Sequence, residues 1–275
     1  MNAHGIEPSA DSDAPPLTRE DRDGVALLTL DNPRARNALG DRTIALLHET
    51  LDAIAADASV RCVVLAAEGP AFCAGHDLKE MTARRADADR GRAYFEDLMG
   101  RCSAMMQAIV ALPQPVIAAV EGVATAAGCQ LVATCDLAVA GENARFATPG
   151  VHIGLFCSTP MVALSRNVSH KHAMEMLLLG EPIPAAEAHR IGLVNRVVPA
   201  GGAREAALAL ARSIAGRSSL TIATGKRAFY AQAEMTLADA YDYAARVMAR
   251  NMMARDAEEG IGAFVEKRTP TWEDR

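Results

Sequence analysis

Two stretches of small residues, Phe72-Cys73-Ala74-Gly75-His76-Asp77-Leu78 and Ala124-Thr125-Ala126-Ala127-Gly128-Cys129-Gln130, each follow an apolar run of strand character, at 62–66 and 116–120. Gly and Ala let a backbone approach a ligand closely, and unpaired N–H groups at such turns can converge on an oxygen that is gaining negative charge. The chemistry is polarisation of a carbonyl. Ala127 and Gly128 open a predicted helix, where free N–H groups and the positive end of the helix dipole both favour negative charge. The paired donors are then the His76 N–H and an N–H near Ala127. Taken alone, the first turn also reads as a strand-to-helix connection in which Asp77 caps a helix beginning at Leu78. The second turn, after a neighbouring strand, is what makes a site of the two.

The elements that position these turns follow from hydrophobic spacing. Residues 25–30 read as a strand and 43–56 as an amphipathic helix, with Ile44, Leu47, Leu51 and Ile54 at helical intervals. The run 62–66 is apolar at every position, which predicts a strand covered on both faces by helices. A longer helix is predicted over 90–112, ended by Pro113 and Pro115, followed by the strand 116–120, a short helix over 127–135 and a strand at 137–140. A strand-strand-helix unit thus recurs, without a verbal repeat. Thr159-Pro160 has the form of a helix start, and Gly180 and Gly192 stand where helices need a left-handed end. From Ala203 onward the pattern is helical, and 235–252 and 256–267 carry apolar residues in excess of what the preceding core covers, which predicts subunit contact.

Composition bounds the rest. A chain of 275 residues, half hydrophobic and 4% aromatic, builds one large core from Ala, Val, Leu, Ile and Met, and two unrelated domains are not expected. The boundaries expected are a flexible tail over 1–23, a core over 24–200 and a helical region over 201–275. A formal net charge of −6, with 28 basic and 34 acidic residues, argues against general nucleic-acid binding. No apolar run reaches the ~18 residues of a membrane span, and residues 1–23 show no leader pattern, so a cytoplasmic location is expected. Cys62, Cys73, Cys102, Cys129, Cys135 and Cys157 include no CxxC pair and read as buried free thiols.

Asn32-Pro33 with Arg36-Asn37-Ala38-Leu39, the turn at 72–78, Ala127-Gly128-Cys129-Gln130-Leu131 with Cys135-Asp136, and Phe264-Val265-Glu266-Lys267-Arg268 with Pro270 resemble, in order, the motifs of the enoyl-CoA hydratase/isomerase (crotonase) family. Within it, 124–136 and 146–160 are closest to one branch. The resemblance implies an α/β fold, a crotonase-like spiral of repeated strand-strand-helix units with a helical C-terminal trimerisation region, and hence a homo-trimer or dimer of trimers. It implies an acyl-CoA thioester as partner, with coenzyme A entering as part of the substrate and no tightly bound cofactor, metal, nucleic acid or membrane. Carried over by position, the carbonyl is held by the backbone N–H groups of His76 and Ala127. Coenzyme A contacts fall on Arg34, Ala35, Arg36, Ala74, Asp77, Leu78 and Lys79, on Gly128 beside the second donor, and on Lys267, with Arg268 a further candidate for the phosphates. A solvated helix end is the plainer reading of the last two.

The sequence departs from the family pattern where proton transfer is done. Family hydratases use two glutamates, and those positions hold Gln130 and Gly150 here. Glutamine cannot exchange a proton near neutral pH, and general acid–base help is typically worth ~10² to 10⁴ in rate. His152, two residues beyond Gly150, is a tentative replacement, with a partly exposed loop histidine the plainer reading. Cys157 and Ser158 read as a helix cap, and His170 and His172 lack the one-face spacing of a metal pair. The His76 side chain is free to face the acyl group. Three functions stay open: a weak or redirected lyase on an enoyl- or aryl-acyl-CoA, a decarboxylase or isomerase of another CoA thioester, and a non-catalytic acyl-CoA binding protein.

Overall fold

One strand without a polar side chain organises the architecture. The computed structural model describes residues 14–275. Along the chain run β1 (Leu17–Arg22), β2 (Val25–Leu30), α1 (Asp41–Ala55), β3 (Cys62–Ala67), β4 (Ala71–Cys73), α2 (Leu78–Ala83), α3 (Arg92–Ala111), β5 (Val116–Val120), β6 (Val123–Thr125) and α4 (Ala127–Thr134). There follow β7 (Leu137–Gly141), β8 (Arg145–Ala147), α5 (Pro160–Asn167), α6 (His170–Leu179), β9 (Ile183–Pro184), α7 (Ala185–Arg190), β10 (Arg196–Val198), α8 (Ala203–Ala215), α9 (Ser219–Gln232), α10 (Leu237–Met252) and α11 (Arg255–Glu266).

In β3, Val63 and Leu65 face a core that includes α1 and α3, while Cys62, Val64 and Ala66 face a second core with Ala203, Ala207 and Ala211 of α8. Successive strand residues point to opposite faces, so an all-apolar strand must be covered twice. The small side chains of α8 let that helix lie close to the sheet. The strand order of the larger sheet is β1-β2-β3-β5-β7-β10, parallel from β2 onward with β1 antiparallel at the edge. The smaller sheet has the order β4-β6-β8-β9. Each of β3, β5 and β7 therefore hands the chain to the next strand in the smaller sheet, and the chain advances as a spiral of strand-strand-helix turns. That arrangement places the ends of β4 and β6, which lead into the two small-residue turns, side by side in parallel pairing.

Two expectations are corrected. The tail expected to lack structure through residue 23 is ordered from Leu17, because β1 pairs with all six residues of β2 and buries Leu17; residues 1–13 lie outside the described residues. The run of four charged residues Arg19 to Arg22 in β1 hid it, since an edge strand tolerates charge. The helical extension expected from 201 starts later, because α8 is part of the core. α10, in contrast, has no buried residue, and leaves Leu237, Tyr241 and Met248 exposed, with Phe264 and Val265 of α11 exposed beside them. No helix among the described residues is long and apolar enough to cross a membrane.

α9 is fastened to the core by a buried polar knot. Lys226 Nζ donates to the carbonyls of Ile109 (2.9 Å) and Gln114 (3.0 Å) and to Asp136 Oδ2 (2.7 Å), using all three of its protons. Asp136 also accepts from the Val116 N–H at 2.7 Å and from Tyr230 Oη–H at 2.9 Å. The Lys226 side chain is only 6% exposed, so its removal strands a buried carboxylate. Lys226→Met is expected to cost about 3–5 kcal/mol of stability, read as a lower urea midpoint; an unchanged midpoint would show that the knot is incidental to stability.

Candidate functional site

The two turns are pressed together through a pair of glycines. Gly75 has φ +91°, and a Cβ built on it would lie 2.9 Å from Ala126 Cβ, 3.1 Å from the Thr125 carbonyl oxygen and 3.3 Å from Ala127 N. From the other side, a Cβ on Gly128 would fall 2.1 Å from the Cys73 carbonyl oxygen. Neither position accepts a side chain without moving backbone, so each glycine is what lets the opposing turn come close. Thr125 Oγ1–H donates across the gap to the Ala74 carbonyl at 3.1 Å. Ala126 holds the positive-φ conformation φ 51°, ψ −119°, with its N–H bound to the Ala147 carbonyl at 2.9 Å. A non-glycine residue persists there only because its surroundings over-determine it.

This geometry leaves two amides uncommitted. His76 forms an isolated bridge with Leu39, whose bonds run from Leu39 N to Gly75 O (2.8 Å) and from Asp77 N to Leu39 O (3.4 Å). The His76 N–H takes no part in it and has no backbone acceptor among the described residues. Ala127 is the first residue of α4, so its N–H has no partner within the helix. α4 is buried along its whole length, which shields the positive end of its dipole from water. Such an arrangement can receive an oxygen that carries or gains negative charge.

Two side-chain atoms on the same turns are also unmatched. Gln130 is 5% exposed, and its Oε1 is buried without a hydrogen-bond partner; His76 Nε2 is in the same condition. Burial holds the His76 imidazole below its ordinary pKa, so the ring is neutral at pH 7. Burial likewise pushes the Cys73 and Cys129 thiols up to about 12, which makes them poor nucleophiles. All six cysteines are free and buried.

The loop bearing Arg34, Ala35 and Arg36 is brought to this place by Asn37. Asn37 is 1% exposed with φ 54°, a conformation that asparagine tolerates better than most residues. Its Nδ2 donates to the carbonyls of Glu68 and Ala71, both at 2.8 Å, and its Oδ1 accepts from Asn32 N at 2.8 Å. Ala74 N–H donates to the Arg36 carbonyl at 3.0 Å, tying the loop directly to the first turn. Arg34 and Arg36 are exposed and form no ion pair among the described residues. Asp77 caps α2 through Oδ1, accepting from Lys79 N (2.8 Å) and Glu80 N (3.2 Å), and Leu78 and Lys79 are exposed at the helix start.

Other expected positions stand apart. The His152 ring is bonded through Nε2 to the Leu179 carbonyl at 2.8 Å, at the end of α6, and is exposed. Lys267 ends α11 in a left-handed conformation, φ 57°, and α11 packs against α10. Arg268 is held by Glu259 and Glu266, whose carboxylates are 2.6 Å from its guanidinium. Gly150 is not an empty slot, because a Cβ there would meet Cys157 Sγ and the Leu155 carbonyl, each at 2.9 Å. The chain over 150–157 has closed on the space that a side chain would need. No group of His, Cys, Asp or Glu among the described residues is arranged to hold a metal. Sequence reading missed the role of Asn37; its one signal was an Asn in a small-residue loop, where left-handed backbone is common.

The family profile described as enoyl-CoA hydratase/isomerase matches residues 20–275. The chain belongs to this family. It is 45% identical over 266 residues to "Enoyl-CoA hydratase domain-containing protein 3, mitochondrial" of Rattus norvegicus, covering 96% of this chain and 87% of that one. Among solved structures, the enoyl-CoA hydratase of Mycobacterium smegmatis is 51% identical with a TM-score of 0.89, covering 94% of this chain and 99% of the other. Human enoyl-CoA hydratase domain-containing protein 3 is 44% identical with a TM-score of 0.89, covering 94% and 100%. The crotonase fold and the likeness to that branch are thus shown. The cytoplasmic expectation is overturned: the rat relative is named mitochondrial, as are those of mouse and human, each at 44%. Free thiols indicate a reducing environment, which does not single out the cytoplasm.

Gly128→Ala is expected to lower stability by about 1–3 kcal/mol, since the new methyl group must displace the Cys73 carbonyl. Equilibrium denaturation measures this, and a wild-type midpoint would mean that the turns are not in contact. With thiols pushed to about 12, only ~1 part in 10⁴ of Cys73 and Cys129 is thiolate at pH 8. Iodoacetamide at pH 8 is therefore expected to leave both unlabelled in the native protein and to modify them after denaturation. Rapid native labelling of either would contradict their burial.

Proposed function

We propose that the chain binds an acyl-CoA thioester and polarises its carbonyl between the N–H groups of His76 and Ala127. The observation that carries this reading is the contact of the two turns at Gly75 and Gly128, which sets two uncommitted amides on adjoining backbone. Backbone donors of this kind stabilise an oxyanion without reorganising, and one such donor is typically worth ~10² to 10³ in rate. Arg34 and Arg36, exposed beside the first turn, supply cationic charge for the phosphates of coenzyme A, with Ala35, Ala74, Gly128 and the start of α2 at Asp77, Leu78 and Lys79 completing the groove. Coenzyme A is then substrate rather than resident cofactor. The exposed apolar faces of α10 and α11 support a homo-trimer or dimer of trimers.

The family's two-carboxylate hydration is a poor match to this site. Gln130 cannot carry a proton, and Gly150 is packed against Cys157 and Leu155. A decarboxylase forms its enolate by loss of carbon dioxide and needs no second glutamate, and a non-catalytic acyl-CoA binding protein needs only the donors; both suit the groups present better than hydration does, whereas a redirected lyase or isomerase still needs a group that moves a proton.

Calorimetric titration with crotonyl-CoA, paired with loss of the enoyl absorbance, tests the reading. Binding is expected, with hydration slower by ~10² to 10⁴ than two well-placed carboxylates provide. Absence of binding at millimolar ligand would refute the site. Restoring the acids is expected to be asymmetric: Gln130→Glu is accommodated, whereas Gly150→Glu lowers the melting temperature, because its Cβ alone meets Leu155 O and Cys157 Sγ at 2.9 Å.

A further inference from the structure

We infer that the His76 imidazole is the proton carrier of this site, accepting the proton from the carbon adjacent to the thioester carbonyl at Nε2. The inference rests on the acyl-CoA reading and adds the group that reading lacks. Five buried side-chain atoms among the described residues have no hydrogen-bond partner: Arg61 Nε, His76 Nε2, Gln114 Oε1, Gln130 Oε1 and Asn251 Oδ1. Arg61 and Gln114 spend their other polar atoms on bonds to neighbouring groups, Arg61 on Asp274 and Arg217, Gln114 on the carbonyls of Ile54, Asp57 and Val60. His76 and Gln130 are different in placement. One belongs to each of the two turns that meet at Gly75 and Gly128: His76 bears one of the two uncommitted backbone N–H groups, and Gln130 stands three residues after the other, on Ala127.

A buried polar atom left without a partner costs about 1–3 kcal/mol, so two of them at one juncture call for an explanation in function. Gln130 is on the first turn of α4, three residues after Ala127 and hence on the same helix face; helical side chains lean toward the N-terminus, which carries its amide toward the Ala127 N–H. Its Oε1 accepts hydrogen bonds but takes no proton near neutrality. Asp77 has its Oδ1 engaged at the start of α2, and the Cys73 thiol is protonated. His76 is left as the group on the two turns that can gain and lose a proton in the physiological range. Desolvation holds its ring below its ordinary pKa and no charged residue contributes to that shift; Nε2 can accept a proton when the ring takes the Nδ1–H tautomer.

The step balances without a further reactant. The Cα–H bond of the acyl group breaks, the proton passes to Nε2 to give an imidazolium, and the bonding pair moves into an enolate whose negative oxygen lies between the His76 and Ala127 N–H groups. Return of a proton from the imidazolium to the acyl chain restores the neutral ring. The same residue thus holds the oxygen with its backbone and the proton with its side chain, and neither carboxylate position is needed. The substrate class that follows is a thioester with an acidic hydrogen at Cα, with isomerisation or exchange there as the reaction.

The test is proton exchange at Cα of butyryl-CoA in D₂O, followed by ¹H NMR alongside calorimetric binding of the same ligand. The wild-type protein is expected to exchange the Cα protons well above the protein-free rate, rising with pH to a plateau, with a midpoint below ~6.5. His76→Gln, which keeps the backbone N–H, is expected to lower exchange ~10² to 10⁴-fold and abolish that pH dependence, with Kd changed only a few-fold. Binding without exchange, or exchange undiminished in a folded His76→Gln protein, overturns the inference and leaves the binding reading intact. Absence of binding removes both. The wild-type pH profile stands without any variant, and a flat profile also overturns the assignment.

Discussion

The contact between two backbones at Gly75 and Gly128 is the constraint on which the rest depends. At these positions even one methyl group meets Ala126, the Thr125 carbonyl or the Cys73 carbonyl at 2.1–3.1 Å. The approach lies at the ends of two adjacent parallel strands, β4 paired with β6, which follow β3 and β5, themselves paired in the larger sheet. Parallel neighbours require crossover connections, and the helices that make them supply the cover demanded by the all-apolar face of each strand. The spiral is thus the topology that lets two turns of similar kind stand side by side. Asn37 and the Thr125–Ala74 bond complete the join by fixing the basic loop to the first turn and the first turn to the second.

The juncture of the two turns presents two uncommitted amides. Its amides are oriented by elements that cannot easily shift: a bridge to Leu39 on one side and a wholly buried helix on the other. The two side chains left unmatched there are a glutamine and an imidazole whose pKa is lowered by burial, and a Cβ at Gly150 would meet Cys157 Sγ and the Leu155 carbonyl.

Much of this was legible in the sequence, for identifiable reasons. The all-apolar runs at β3 and β5 announce buried parallel strands, and the small-residue turns after them announce close approach, because few other functions need Gly, Ala and Thr in that density. What could not be read is whatever depends on contacts between distant segments. β1 was hidden by its charged residues, which an edge strand tolerates. The Lys226–Asp136–Tyr230 knot joins residues 90 and 94 positions apart, and nothing local distinguishes Lys226 from an exposed helical lysine. His152 was drawn toward the site by its nearness to Gly150 in sequence, yet its ring is bonded to the end of α6. The unmatched Nε2 of His76 is likewise a property of its surroundings.

The measurement closest to the central claim is a crystal structure of the protein with butyryl-CoA bound. The thioester oxygen is expected within about 2.7–3.1 Å of both His76 N and Ala127 N, the range in which backbone donors stabilise an oxyanion. A ligand whose thioester oxygen lies out of reach of either amide, with the acyl chain away from the two turns, would contradict it.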